Sequence, residues 1–236
     1  MNLKPARIAS AALNAIIAVC VPIVLIGATL RLILVPAFLQ VEYRMPGFPP
    51  DDYGFSIADR LHWASSSWRY LVNSSEISYL ADLQLDNGSS LFNPRELDHM
   101  RDVKAVVQRT FAALYVALGI LAVLGIVAWR ANRLPDFRRG IRSGAWLTIS
   151  LAGLIGAIVA AGMFLNPDLF WEFFTAFHGL FFQGDSWLFA YSDSLIRLFP
   201  IRFWQDTFLI AALVVLASAA ALAFGLREPR STTSSR

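Results

Sequence analysis

The chain has 236 residues, of which 56% are hydrophobic and only 16% are charged, whereas soluble domains carry about 25% charged residues. Its mean hydropathy is +0.53 and its apolar residues lie in long blocks, so the composition excludes an ordinary soluble domain and indicates a membrane protein. Cys20 is the only cysteine, which excludes a disulfide within the chain and a cysteine metal cluster.

Four apolar blocks are long enough to cross about 30 Å of hydrocarbon as helices. We therefore predict an all-α membrane protein with four transmembrane helices in a single membrane domain. The predicted spans are 11–38, 105–129, 145–165 and 208–226. The predicted segments outside the membrane are 39–104, 130–144, 166–207 and the tail 227–236.

The first block could also be a cleaved signal peptide, because Lys4 and Arg7 precede it. It is long for a signal peptide and lacks a clear A-x-A cleavage site. Cleavage would also remove one helix of the four-helix bundle. We therefore expect the first helix to be retained.

The charges are distributed unevenly between the segments. The N-terminal stretch, the loop 130–144 and the tail 227–236 together hold ten basic and two acidic residues. The rest of the chain holds ten basic and fifteen acidic residues. Because basic residues accumulate on the cytoplasmic side, we expect both ends of the chain in the cytoplasm. The segments 39–104 and 166–207 are then extracytoplasmic and form a cap.

Two helices are predicted in the first cap segment. An apolar face at helical spacing predicts a helix over 55–72, with His62 on its polar face. A second helix is predicted to begin at Asn93, a good N-cap residue, followed by Pro94 at the first helical position and Glu96 at the capping-box position. No breaker precedes Gly119, so this helix is expected to continue into the second span.

His99 lies on this second helix, about 9 Å before the apolar block begins. Arg95, Glu96 and Asp102 are spaced to share its face of the helix. We expect Glu96 and Asp102 to orient the His99 ring and to favour its protonated form.

The second cap segment is rich in aromatic residues. Residues 170–204 contain 13 of the 31 aromatic residues in the chain, and such enrichment is typical of bilayer interfaces. Gly179, Gly184 and Pro200 interrupt the segment, which indicates a re-entrant or surface-lying element and not a fifth span. His178 lies near its centre.

The three histidines of the chain, His62, His99 and His178, all lie in the predicted cap. A single interfacial histidine is most simply a hydrogen-bonded structural residue. The pair His99 and His178 is the candidate catalytic site, because both lie at the same depth and titratable groups in water-poor surroundings are commonly functional. A general base there could act on an amine or a water molecule beside a lipid ester.

Other chemistries lack their motifs. Glu96-x-x-His99 has the spacing of carboxylate-bridged di-iron bundles, but the second copy and further glutamates are missing. No His-Glu-x-x-His or Gly-x-Ser-x-Gly motif, phosphate-binding loop or nucleic-acid motif is present. We therefore expect no cofactor, no metal and no nucleic-acid partner. A metal site made by the three histidines stays an alternative.

Three tracts resemble one known family. They are F-x3-E-x2-H-M-x-D-V-K from Phe92 to Lys104, F-H-x-L-F-F-x3-S-W from Phe177 to Trp187, and D-x-L-I-x-L-F-P from Asp193 to Pro200. In this combination they resemble the lipoprotein intramolecular transacylases, which are four-span proteins of bacterial membranes. The resemblance covers nearly the whole chain in order and topology.

The resemblance implies an enzyme that moves the sn-2 acyl chain of a diacylglyceryl-modified N-terminal cysteine to the α-amino group of that cysteine, giving a lyso-form lipoprotein. The two essential histidines of the family correspond to His99 and His178. We expect His99 to be the base and His178 to protonate the glycerol oxygen, with the reverse assignment open. The expected partners are diacylglyceryl lipoproteins and membrane lipid. One alternative is a non-enzymatic adaptor that binds lipoproteins or another membrane protein through the aromatic segment, and another is a metal-dependent membrane hydrolase.

Overall fold

A computed structural model describes residues 5–226, with side chains described from residue 10 onward. The predicted tail 227–236 lies outside the described residues. Within them the chain is helical, apart from turns, loops and an isolated β-bridge between Gln84 and Ser90. The helices are α1 (Pro5–Ile33), α2 (Pro36–Glu42), α3 (Ile57–Val72), α4 (Ser78–Ala81), α5 (Pro94–Arg130), α6 (Leu134–Phe164), α7 (Pro167–Gly179), α8 (Ser194–Leu198) and α9 (Ile201–Gly225).

Four of these helices, α1, α5, α6 and α9, are long and apolar enough to cross a membrane. The predicted four-span, all-α class is therefore confirmed. With four spans, the segment between α1 and α5 and the segment between α6 and α9 emerge at the same end of the bundle. We call these two segments, with the first turns of α5, the cap.

The helix ends differ from the predicted spans. The first span was predicted to reach residue 38, but α1 ends at Ile33 and the chain bends before Pro36 starts α2, because the residue before a proline is disfavoured in helical conformation. α6 begins inside the predicted loop 130–144, and α9 begins inside the predicted segment 166–207. Helices continue into polar flanking residues, whereas apolar composition marks only the part of a helix that lies in lipid.

α6 lies in the middle of the bundle and packs against α1, α9 and α7. Glycine permits the close approach of α1, because a Cβ at Gly144 would lie 2.6 Å from the carbonyl oxygen of Ala18. Small residues commonly mediate contacts between helices in membranes, where packing and not water exclusion drives association.

The predicted start of the Asn93 helix is confirmed. The Asn93 side chain accepts a hydrogen bond from Glu96 N at 3.0 Å, and the Glu96 carboxylate accepts from Asn93 N at 2.7 Å. The resulting helix, α5, runs unbroken for 37 residues from the cap into the bundle. The helix predicted over 55–72 is α3, which begins one residue after the capping residue Ser56. Since the apolar part of α5 begins at residue 105, His99 lies in the cap.

The two cap segments share one apolar core, to which α2, α3, α5, α8 and α9 contribute. Polar contacts also join them. The Tyr43 hydroxyl donates to the Leu198 carbonyl at 2.8 Å, and the Arg197 guanidinium pairs with Asp51 at 3.0 Å. These contacts fix the second cap segment on the first.

α7 folds back against the end of α6 and is too short to span a membrane. Asn166 caps it by accepting from Asp168 N at 3.0 Å, and Pro167 occupies its first position. The close contact with α6 depends on Gly162, where a Cβ would lie 2.6 Å from Phe170 N. This contact sets where His178, near the end of α7, lies in the cap.

Candidate active site

The cap brings His99 and His178 together from separate segments. Their ring centroids are 6.3 Å apart and their planes are inclined by 21°. No hydrogen bond joins the two described rings directly. One comes from the first turns of a helix that continues into the membrane, and the other from the short helix α7. Two imidazoles therefore face a common space at one end of the bundle.

His178 has a defined tautomer. Its Nδ1 lies 2.8 Å from the carbonyl oxygen of Phe174, one turn earlier in α7. Because a carbonyl oxygen can only accept, Nδ1 must carry the hydrogen, and in the neutral ring the lone pair is on Nε2. The residue is 8% exposed. Burial lowers the pKa of His178, and the bond to Phe174 opposes part of that effect.

Aromatic rings surround His178. The Phe174 ring lies 4.1 Å from it and the Trp187 ring 4.5 Å, measured between centroids. Phe182 lies 5.7 Å from His178 and 4.9 Å from His99, so it contacts both imidazoles. Phe189 completes this aromatic enclosure on the side of His99, at 5.4 Å.

His99 is held neutral. Burial among these rings, followed by the neighbouring His178, lowers its pKa from 6.5 to about 4. Its Nδ1 is buried, and no donor or acceptor of the described residues reaches it. The expectation that carboxylates favour a protonated His99 is wrong, because burial and His178 set the pKa of His99 and no carboxylate is among the groups that act on it. An unpaired buried polar atom in a native structure calls for a functional or solvent explanation.

Glu96 makes no hydrogen bond to His99. It is 1% exposed, and besides closing the capping box it accepts from Leu195 N of α8 at 2.7 Å. Burial raises the pKa of Glu96, while its hydrogen bonds to Asn93 and Leu195 lower it. Beside this contact, the Asn93 side chain donates to Asp193 at 3.3 Å. Glu96 therefore joins the start of α5 to the second cap segment.

Arg95 and Asp102 border the site without bonding His99. With His99 they line an open groove of about 570 Å³, together with Asp98, Gln183, Asp185 and Ser186. The Arg95 guanidinium donates to the Asp185 carbonyl and lies over the Phe189 ring. The groove is thus a polar passage from solvent to the edge of the aromatic enclosure.

The third histidine, His62, lies apart from the pair, with its ring against Trp63 at 4.4 Å. In the part of the chain whose side chains are described, no three His, Cys, Asp or Glu residues converge as metal ligands would. The three-histidine metal site therefore does not form in this arrangement.

The aromatic residues that enclose the pair are not distinguished by the sequence alone. Their density between residues 170 and 204 was visible, but not which rings face the histidines. The Phe174 ring could have been identified, because side chains four residues apart on a helix are neighbours and His178 is four residues later.

The fold and the site together define a multi-pass membrane protein with two neutral histidines enclosed by aromatic rings in its cap. The sequence model of the family "Lipoprotein intramolecular transacylase Lit" matches residues 15–204, and the chain belongs to this family of enzymes.

Two further proteins are similar to this chain. The structure resembles that of the membrane-integral lipoprotein intramolecular transacylase Lit from Bacillus cereus, with a TM-score of 0.72 and 17% identity over 90% of this chain and 92% of that one. An uncharacterized protein of Aquifex aeolicus is 29% identical over 202 residues, which cover 86% of this chain and 87% of the relative. At this identity the structural match shows the shared fold.

Proposed function

We propose that the protein transfers the sn-2 acyl chain of a diacylglyceryl-modified N-terminal cysteine to the α-amino group of the same cysteine, with His99 and His178 as its catalytic residues. The observation that carries the proposal is the pair of neutral imidazoles, 6.3 Å apart, in an aromatic enclosure. Neutral imidazoles can exchange protons with an amine and an alcohol at neutral pH.

The geometry favours His178 as the base, which reverses the assignment expected from the sequence. Nδ1–H of His178 is anchored to the Phe174 carbonyl, so Nε2 is free to accept a proton. The same carbonyl stabilises the imidazolium that forms, as the orienting group does in catalytic triads. His99 has no such partner among the described residues and its pKa is about 4, so it is a poor base at neutral pH.

His99 is better suited to donate a hydrogen bond. A neutral imidazole carries one N–H, which can stabilise the oxyanion that develops on the sn-2 carbonyl oxygen. The unpaired ring nitrogen of His99 fits this role, because a partner supplied by the substrate would complete its hydrogen bonding.

The proton balance requires no outside reagent. The neutral α-amine attacks the sn-2 carbonyl carbon, the N–C bond forms, and the amine proton passes to Nε2 of His178. The C–O bond to glycerol then breaks, and the same proton passes from His178 to the departing oxygen. The α-amino group has a pKa of about 8, so an adequate fraction is neutral near physiological pH.

The enclosure and the groove fit the two ends of this substrate. Aromatic rings accommodate acyl and glyceryl groups, while the polar groove beside His99 leads the peptide to solvent. Holding the amine and the ester in one space supplies much of the rate by proximity. The proposed partners are accordingly diacylglyceryl lipoproteins and membrane lipid.

We further propose that both chain ends are cytoplasmic and that the cap is extracytoplasmic, as the distribution of basic residues favours. Lipoproteins carry their lipid on that side of the membrane. A C-terminal fusion to a reporter active only in the cytoplasm should be active. Activity only of a periplasm-specific reporter would reverse the orientation.

The activity is tested by mass spectrometry of lipoprotein N-terminal peptides from a bacterial host that lacks its own lipoprotein N-acyltransferase. We expect fragment ions with one amide-linked chain on the cysteine nitrogen and one ester-linked chain on the glyceryl group. Unmodified diacylglyceryl-cysteine in a host with well-expressed, folded protein would contradict the proposal and favour an adaptor.

The roles are tested by variants of each histidine, with His62→Gln as the matched control. We expect His178→Gln to lower the rate by about 10²–10⁴-fold and His99→Ala by about 10²–10³-fold. His99→Gln should be less impaired than His99→Ala, because an amide N–H can still donate. Equal loss in His99→Ala and His99→Gln, with an active His178→Gln, would reverse the roles.

A further inference from the structure

Glu42 and Asp206 form a second pair of buried titratable groups, away from the histidines. Glu42 ends α2 and is 0% exposed, and Asp206 lies on the second turn of α9 and is 4% exposed. No N–H or hydroxyl donor of the described residues reaches either Glu42 oxygen. The group within hydrogen-bonding range of Glu42 is the Asp206 carboxyl. Two carboxyl groups can bond only if one of them holds a proton.

The charges around Glu42 and Asp206 are balanced when one of the two carboxyl groups is protonated. Arg202, on the same helix, donates to Asp206 at 2.6 Å. This guanidinium and Asp206 are the charged groups that act on Glu42. On α3, the Arg60 guanidinium acts on Tyr43 and pairs with Asp51, and it is not among the charges that act on Glu42. An ionised Glu42 would leave two negative charges against one positive charge, whereas a neutral Glu42 leaves the group balanced.

We propose that Glu42 is a buried proton-binding site whose proton is shared with Asp206 and joins α2 to α9 in the folded cap. Loss of that proton places two carboxylates in contact without solvent, which costs several kcal/mol per buried uncompensated charge. We call the contact of Glu42 on α2 with Asp206 on α9 the junction. It is stable when Glu42 is protonated and destabilised when Glu42 is ionised.

The position of the junction connects it with both halves of the cap. Phe203, on the turn before Asp206, packs on Tyr43 and Trp68 of the first cap segment. Trp204 beside it packs on Phe174, at 6.1 Å between ring centroids. Opening the contact between α2 and α9 would thus disturb the support of Phe174, whose carbonyl fixes the tautomer of His178.

Burial, and then the neighbouring Asp206, raises the pKa of Glu42 to about 8. The direct test is infrared spectroscopy of the purified full-length protein in detergent. We expect the spectrum of the wild type minus that of Glu42→Gln to show a protonated carboxyl band at pH 7. The band should disappear as the pH rises through about 8. Glu76, an exposed acid, serves as the control, and Glu76→Gln should leave the protonated carboxyl band of Glu42 unchanged.

The second measurement is the thermal unfolding midpoint. A carboxyl group whose folded pKa is raised stabilises the fold fully below its unfolded pKa of 4.5, and that contribution is lost as the pH rises to about 8. We therefore expect the wild-type midpoint to fall relative to that of Glu42→Gln between pH 5 and 8, and the difference to level off above pH 8.

Either of two results would overturn the proposal. One is the absence of the carboxyl band at pH 7 from the difference spectrum. The other concerns Asp206→Asn, which removes the charge that holds the proton and should make the Glu42 band disappear at a lower pH. An unchanged titration of Glu42 in folded Asp206→Asn would show that Asp206 does not share the proton. None of these readouts depends on acyl transfer.

Discussion

The contact of Glu96 with both cap segments leads to a quantitative prediction about the site. One carboxylate, 1% exposed, accepts from Asn93 N and from Leu195 N, each at 2.7 Å. In Glu96→Ala both backbone N–H groups lose their acceptor, and a buried unsatisfied donor costs about 1–3 kcal/mol. We therefore expect Glu96→Ala to lower the free energy of unfolding by about 2–6 kcal/mol. Glu96→Gln keeps one acceptor and should lose about half as much.

We also expect the Glu96 variants to have a lower catalytic rate, because Leu195 follows the loop whose Phe189 ring lies against His99. The assays are thermal unfolding in detergent and the rate of appearance of the amide-linked acyl chain. Glu96→Gln should show a lower kcat with a smaller change in KM, since the displaced groups surround the proposed catalytic histidines.

Asp98→Ala is the matched control on the same turn of α5. The Asp98 side chain is 71% exposed and pairs with Arg101, and such pairs contribute about 0–1 kcal/mol. Equal destabilisation by Glu96→Ala and Asp98→Ala would refute the reasoning that Glu96 braces the cap. Full activity of a destabilised Glu96→Gln would refute its connection with the histidines.

Three other predictions follow from burial and packing. The pKa of His99 is about 4 instead of 6.5. Its contribution to the free energy of unfolding, about 3 kcal/mol, is therefore present above pH 6.5 and is lost as the pH falls toward 4. In denaturation experiments at pH 4–7, the free energy of unfolding should depend less on pH in His99→Gln than in the wild type. Gly162→Ala should push α7 away from α6, lowering the free energy of unfolding by about 1–3 kcal/mol and removing much of the activity. Gly119→Ala is the control, because a Cβ there meets open space, and it should change neither quantity. Equal effects of the two substitutions would argue against this packing. Asp51→Ala leaves the Arg197 guanidinium, 11% exposed, without its carboxylate. The free energy of unfolding should fall by about 3–5 kcal/mol. A fall of less than about 1 kcal/mol would show that the pair behaves like a surface ion pair.

Much of the fold could be predicted, because bilayer thickness and composition determine it directly. The four apolar blocks predicted the spans, and the Asn93 capping box predicted the start of α5. The end of α1 and the start of α9 could not be placed, since a hydropathy pattern marks contact with lipid and not the first or last hydrogen bond of a helix.

Within the site, the depth of His99 and His178 was accessible from the sequence, but their surroundings were not. The nearby acids of α5 suggested a charged His99, whereas the dominant neighbours, Phe182 and Phe189, come from a distant part of the chain. Glu96 was recognised as a capping residue, while its second bond, to Leu195, depends on tertiary structure. Such long-range contacts decide whether the pKa of His99 is raised or lowered, and they cannot be predicted from the spacing of residues along the helix.

The rings that enclose the histidines also bear on which nucleophile reaches the ester. An activated ester beside a general base is open to attack by water as well as by an amine, and hydrolysis would release a free fatty acid and leave the lipoprotein one chain short. Phe182, in contact with both imidazoles, and Trp187, against His178, occupy space next to them that water would otherwise fill. In the proposed reaction, the aromatic enclosure thus favours retention of the acyl chain on the lipoprotein, because the proposed nucleophile, the α-amine, enters it as part of the same substrate.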